Sequence, residues 1–122
     1  MKSRVFIIED DPGWCEALKH FFDQSGEFQA EAYTDSRKAW ESMSLAPPDL
    51  AIIDVIMPSL GGQELAEMMH EHGLKTRVIF LTGLLTPEET KARDYKVGNQ
   101  TVVGKPVHLG VLMGLARKAL AV

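Results

Sequence analysis

The run Asp49-Leu50-Ala51-Ile52-Ile53-Asp54-Val55-Ile56-Met57-Pro58-Ser59-Leu60-Gly61-Gly62 decides the fold. Leu50 to Ile53 is a short apolar run with β-branched members, and it reads as a strand buried on both faces. It stops at a carboxylate, Asp54, and a proline and two glycines then turn the chain. Asp54 therefore stands at the carboxyl end of a buried strand. In open parallel sheets that end is where ligands bind. Taken alone, Asp54 reads equally well as a loop cap or as a functional group. The other strand ends have to decide.

Working back from this run, Arg4 to Ile8 is a second buried strand, and it also ends in acids, Glu9-Asp10-Asp11. Pro12 follows and suits the first position of a helix, with Asp11 as its N-cap. Trp14, Leu18, Phe21 and Phe22 form that helix's apolar face, and Gly26 closes it. Phe28 to Tyr33 is a weaker, alternating strand. Thr34-Asp35-Ser36 supplies cap candidates for a second helix, with Ala39, Trp40 and Met43 on its face and Pro47-Pro48 as its stop.

Working forward, Leu65, Met68, Met69 and His72 define a third helix closed by Gly73. Arg77 to Leu81 is a buried strand ending in Thr82-Gly83. Thr86-Pro87-Glu88-Glu89 is a capping box and opens a fourth helix. The pattern predicts that this helix runs to Gly98 with a thin face of Ala92, Tyr95 and Val97, which packs lightly or presents surface to a partner. Thr101 to Val103 is the last strand and ends in Gly104-Lys105-Pro106. Leu109, Leu112, Ala116 and Leu120 mark the final helix.

Five strand–helix alternations predict an α/β fold, a parallel sheet doubly wound with helices on both faces. The pattern fills residues 1–122 as a single domain and shows no linker, repeat or output domain. At 122 residues, such a chain buries about two thirds of its unfolded surface and needs no metal or disulfide to fold. A formal net charge of −4, without a Lys/Arg cluster, argues against nucleic-acid binding. One cysteine, Cys15, excludes an intrachain disulfide. No apolar stretch approaches the ~18 residues of a membrane span, and the start of the chain lacks a cleavage pattern, so a cytoplasmic location is expected.

The strand ends share a chemistry. Glu9, Asp10, Asp54, Thr82 and Lys105 all fall at the same edge of a parallel sheet. Clustered carboxylates repel unless protonated or bridged by a cation. Oxygen donors without histidine or thiolate favour Mg²⁺. A carboxylate can act as nucleophile towards a phosphoryl group, and a cation, a lysine and a hydroxyl can hold its oxygens.

With these motifs in this order, the chain resembles the receiver domain of two-component response regulators. Glu9-Asp10 matches the family's acidic pair. Asp54, Met57-Pro58 and Gly62 match its phosphorylated aspartate and the turn after it. Thr82-Gly83 and Lys105-Pro106 match the ends of strands four and five. The resemblance implies a flavodoxin-like (βα)5 sandwich with five parallel strands ordered 2-1-3-4-5. It implies Asp54 as phosphoacceptor and Mg²⁺ held by Asp10, Asp54 and the Ile56 carbonyl, with Glu9 acting through water. It further implies that Thr82, the Gly83 amide and Lys105 hold phosphoryl oxygens, and that the peptide before Pro106 is cis. The implied partners are a sensor histidine kinase or phosphotransfer protein, and a downstream protein or an output domain. The implied state is a monomer or weak dimer, with no enzymatic activity beyond its own phosphorylation and dephosphorylation.

Two departures alter these expectations. The family usually has an aromatic residue three positions before the lysine, and Val102 stands there. A stiff β-branched side chain has no ring to swing, so output is expected through the loop Gly83 to Thr86 and the fourth helix. Ile56 and Leu84, two residues beyond Asp54 and Thr82, are apolar and cannot orient a water, so slow self-dephosphorylation is expected. Two rival functions remain: a receiver-fold interaction module that does not use phosphate, and an aspartate-nucleophile phosphohydrolase of haloacid-dehalogenase type. The second usually places its nucleophile after the first strand, with another acid two residues on, where this chain has Ile56. Cys15, the four histidines, Trp14 and Trp40 read as packing or solvated residues.

Overall fold

A computed structural model describes residues 1–121. In chain order the elements are β1 (Ser3–Ile8), α1 (Pro12–Gln24), β2 (Phe28–Tyr33), α2 (Ser36–Leu45), β3 (Leu50–Asp54) and α3 (Gly62–Glu71). They continue as β4 (Arg77–Thr82), α4 (Pro87–Ala92), β5 (Lys96–Val97), β6 (Gln100–Gly104) and α5 (Leu109–Leu120). The sheet order is β2-β1-β3-β4-β6-β5. The pairs from β2 through β6 are parallel, while β5 pairs antiparallel with β6. The expected order 2-1-3-4-5 is present, with one added strand at the edge.

Strand alternation splits the core into two layers. Val5, Ile7, Leu50, Ile52, Ile79 and Leu81 meet α1 and α5 through Leu18, Phe22, Leu112 and Ala116. Phe6, Ile8, Ala51, Ile53, Phe80 and Val102 meet α2 and α3 through Ala39, Met43, Leu65 and Met69. Each of β1, β3 and β4 feeds both layers, which is why their sequences read as continuous apolar runs.

The helix starts follow the cap chemistry. Asp11 accepts from the N–H groups of Gly13 and Trp14, and Asp35 from those of Arg37 and Lys38. Thr86 and Glu89 exchange hydrogen bonds in the capping box that opens α4.

The fourth helix departs from expectation. It ends at Ala92, not near Gly98. Asp94 and Tyr95 take positive φ of 53° and 58°, left-handed values that a right-handed helix cannot contain. Lys96-Val97 then pairs with Gln100-Thr101 around Gly98-Asn99, with Gly98 at φ 61°. Tyr95 does not face a partner from a helix; it packs against the α1–α5 layer. His72 likewise leaves the apolar face of α3. It is the exposed C-cap, its ring edge-on to Trp40 with centroids 4.8 Å apart. Among the described residues, no helix is long and apolar enough to cross a membrane.

Candidate functional site

All the expected side chains sit at the carboxyl edge of the sheet. β1 and β3 are register neighbours, Ile8 against Ile53, so the acids that follow them converge. One oxygen each from Glu9, Asp10 and Asp54 lie within 4.8 Å of one another, the one such acidic group among the described residues. Glu9 and Asp54 are buried, and Asp10 is exposed. Lys105 reaches in from the end of β6, its Nζ 2.6 Å from Asp54 Oδ2 and 3.3 Å from Glu9 Oε1. Asp54 Oδ1 accepts from the Ile56 N–H at 3.2 Å. The second carboxyl oxygen of Glu9 is buried and has no hydrogen-bond partner.

This arrangement sets the charges. Burial, then the hydrogen bond and negative charge of Asp54, push Glu9 up to about 8, with Lys105 only partly offsetting them. Burial opposes the charge on Lys105, but its hydrogen bond to Asp54 and the two acids outweigh that and raise its pKa. The site thus favours the protonated form of Glu9 and the charged form of Lys105. A hard cation fits the same donors. It would replace the Glu9 proton, satisfy the orphaned oxygen and offset the repulsion between the acids.

Thr82 ends β4, next to β3, where Leu81 pairs with Asp54. Its hydroxyl is buried and accepts from the Leu84 N–H at 3.0 Å. Gly83 lies exposed beside it. Lys105 is fixed by its own N–H, which donates to the Thr82 carbonyl at 2.8 Å. The Lys105-Pro106 peptide is cis. Ile56 and Leu84, whose N–H groups bond Asp54 and Thr82, are 63% and 73% exposed apolar residues beside the site. Val102 is buried in the α2–α3 layer, and Leu85 packs against that layer from the loop. Cys15 does not belong to the chemistry: burial pushes its thiol up to about 11, and Sγ contacts the Ile7 and Tyr33 carbonyls.

Side-chain pattern could not reveal three backbone-packing residues. A Cβ on Gly62 would overlap the Asp54 carbonyl oxygen, so glycine lets α3 start against the end of β3. A Cβ on Gly104 would overlap the Thr86 carbonyl. Thr90, buried on α4, accepts from the Gly104 N–H at 3.1 Å.

A doubly wound sheet with an acid-lined pocket, a hydroxyl and a lysine at its carboxyl edge defines a phosphoacceptor signalling domain. Residues 5–117 match the response regulator receiver domain model, and the chain belongs to that family, the switch modules of two-component systems. It is 28% identical to the response regulator receiver protein CpdR of Brucella abortus, over 97% of each chain. It is 25% identical to response regulator Rre1 of Synechocystis over 96% of its own length but 51% of that protein's. The chain spans about half or less of several curated relatives that it matches. Among solved structures, the receiver domain of a signal transduction histidine kinase from Syntrophus aciditrophicus superposes with a TM-score of 0.81. That comparison has 32% identity and covers 98% of this chain and 90% of the other.

Proposed function

We propose that Asp54 takes a phosphoryl group from the phosphohistidine of a sensor kinase or phosphotransfer protein. The phosphorus–nitrogen bond breaks, a carboxylate oxygen of Asp54 bonds to phosphorus, and the imidazole leaves with the electron pair. The observation that carries this reading is the buried Asp54 carboxylate, paired with Lys105 at 2.6 Å beside Glu9 and Asp10.

Lys105 follows the charge from the carboxylate to a phosphoryl oxygen. Thr82, by releasing the Leu84 N–H, and the Gly83 amide take others. Asp10, Asp54 and the Ile56 carbonyl would hold Mg²⁺, with Glu9 acting through its water. Bound there, the ion neutralises the charge that spreads over the phosphoryl oxygens. The protein acts in the cytoplasm as one receiver unit. Its output goes through a downstream protein or an attached output domain.

Incubation with acetyl phosphate and Mg²⁺, followed by intact mass, tests this. One phosphoryl adduct is expected, and it is lost in Asp54→Asn. No adduct on the wild-type chain would favour the phosphate-independent interaction module, and steady turnover of phosphate esters would favour the phosphohydrolase.

A further inference from the structure

The site has no ring at position 102, yet the strand end that carries Lys105 is fastened to α4. The Thr90 hydroxyl donates to the Pro87 carbonyl at 3.0 Å and accepts from the Gly104 N–H at 3.1 Å. Gly104 directly precedes Lys105, and its missing side chain lets the loop backbone at Leu85-Thr86 rest on the strand end. That same loop begins at Thr82, whose hydroxyl caps the Leu84 N–H. Beyond α4, the Tyr95 N–H donates to the Thr90 carbonyl at 2.7 Å, and the Tyr95 carbonyl accepts from the Val102 N–H at 2.9 Å. Thr90 is thus bonded to β6 through its side chain and to the Tyr95 bridge through its backbone.

From this geometry we infer that Thr90 is a positioning residue, a latch that carries the state of Asp54 through Lys105 and Gly104 into α4. The inference rests on Asp54 being the phosphoacceptor. When Lys105 and Thr82 turn to a phosphoryl group, the two contacts that α4 leans on shift together: the Gly104 end of β6 and the loop from Gly83 to Thr86. The buried hydroxyl accepts from the Gly104 N–H and reaches two carbonyls at the start of α4, those of Pro87 at 3.0 Å and Thr86 at 3.3 Å, so a displacement of Gly104 reaches the first turn of α4 as a backbone movement. The swinging ring of other receivers is not needed.

The test uses beryllofluoride with Mg²⁺ as the acyl-phosphate mimic and backbone amide shifts as the readout. In the wild-type chain, Ile56 and residues 88–92 should all shift. In Thr90→Val, which keeps the shape and removes the acceptor, Ile56 should shift at the same concentration. The response of 88–92 relative to Ile56 should fall by about half or more, as expected when a coupling element is cut. Thr90→Ser, which keeps the hydroxyl, should behave as wild type. An undiminished response in Thr90→Val overturns the latch. So does a loss in Thr90→Ser equal to that in Thr90→Val. Should Thr90→Val fail to fold, Gly104→Ala, which drives the loop off the strand end from the other side, must show the same loss or the latch is overturned. A silent Ile56 in the wild-type chain overturns the phosphoacceptor reading and the latch with it.

Discussion

Glu9 binds its proton more tightly in the folded chain, at about 8, than at its ordinary value of 4.5, because burial and Asp54 disfavour its charge. Its contribution to stability is therefore fully present below the ordinary value and is lost as pH rises through about 8. The loss amounts to roughly a few kcal/mol for a shift of this size. The metal-free chain should lose melting temperature between about pH 5 and 8, with little further change from this group above that, and Glu9→Gln should flatten that slope; parallel slopes in the two proteins would refute it. Ile56 and Leu84 supply a second prediction. Ile56 and Leu84 beside the site carry no group to orient a water, so Ile56→Asn with Leu84→Gln should shorten the adduct's half-life by about tenfold, a change of roughly 1.4 kcal/mol in the barrier. Equal decay by intact mass would sink the idea. The identities of Asp54, Glu9, Thr82 and Lys105 were legible because each follows an apolar run. The raised pKa of Glu9 was not, because its burial and its contact with Asp54 arise only once β1 and β3 lie side by side.

At the scale of elements, glycine at the start of α3 and the short α4 show two kinds of local control. Gly62 has no room for a Cβ beside the Asp54 carbonyl, whereas a Cβ on Gly61, at φ −67°, is tight only against the movable Glu64 carboxylate and in ordinary contact with the Val55 carbonyl. Gly62→Ala should cost about 1–3 kcal/mol through overpacking. Gly61→Ala should be neutral or stabilise by up to about 1 kcal/mol through the unfolded chain. Urea midpoints check both, and equal effects would contradict the assignment. Helix starts were readable from Asp11, Asp35 and Thr86 because capping is local chemistry. The end of α4 was not, because Ala92, Tyr95 and Val97 also fit a helical period. A local signal was nonetheless present. Gly98-Asn99 between Lys96-Val97 and Gln100-Thr101 is a two-residue hairpin pattern with glycine first. Nothing in the sequence announces the left-handed Asp94-Tyr95 pair that ends the helix early; the bonds of Tyr95 to Thr90 and Val102 hold it in place.

Across the whole molecule, residues from four strand ends meet only in the folded chain, so any cation bound there stabilises the fold as a unit. At a Mg²⁺ concentration about a hundredfold above its dissociation constant, linkage contributes about 2.7 kcal/mol, a rise of several degrees in melting temperature for a domain of this size. Asp10→Asn, at an exposed position, should fold as well as wild type and lose that rise; a rise of equal size would place the ion elsewhere. The doubly wound architecture itself was legible, because uninterrupted alternation of buried runs and amphipathic segments permits little else. The sixth strand was the exception, and it has a consequence for how two copies can meet. A sheet grows by adding a strand along a row of free amides. On β6 the N–H groups of Val102 and Gly104 are already taken by Tyr95 and Thr90, and β5 covers the start of the strand. On β2, at the far edge, Asp23 occupies the Ala30 N–H at 2.9 Å. Among the described residues, neither rim offers an unbroken row of free amides as a template for fibre growth or strand exchange.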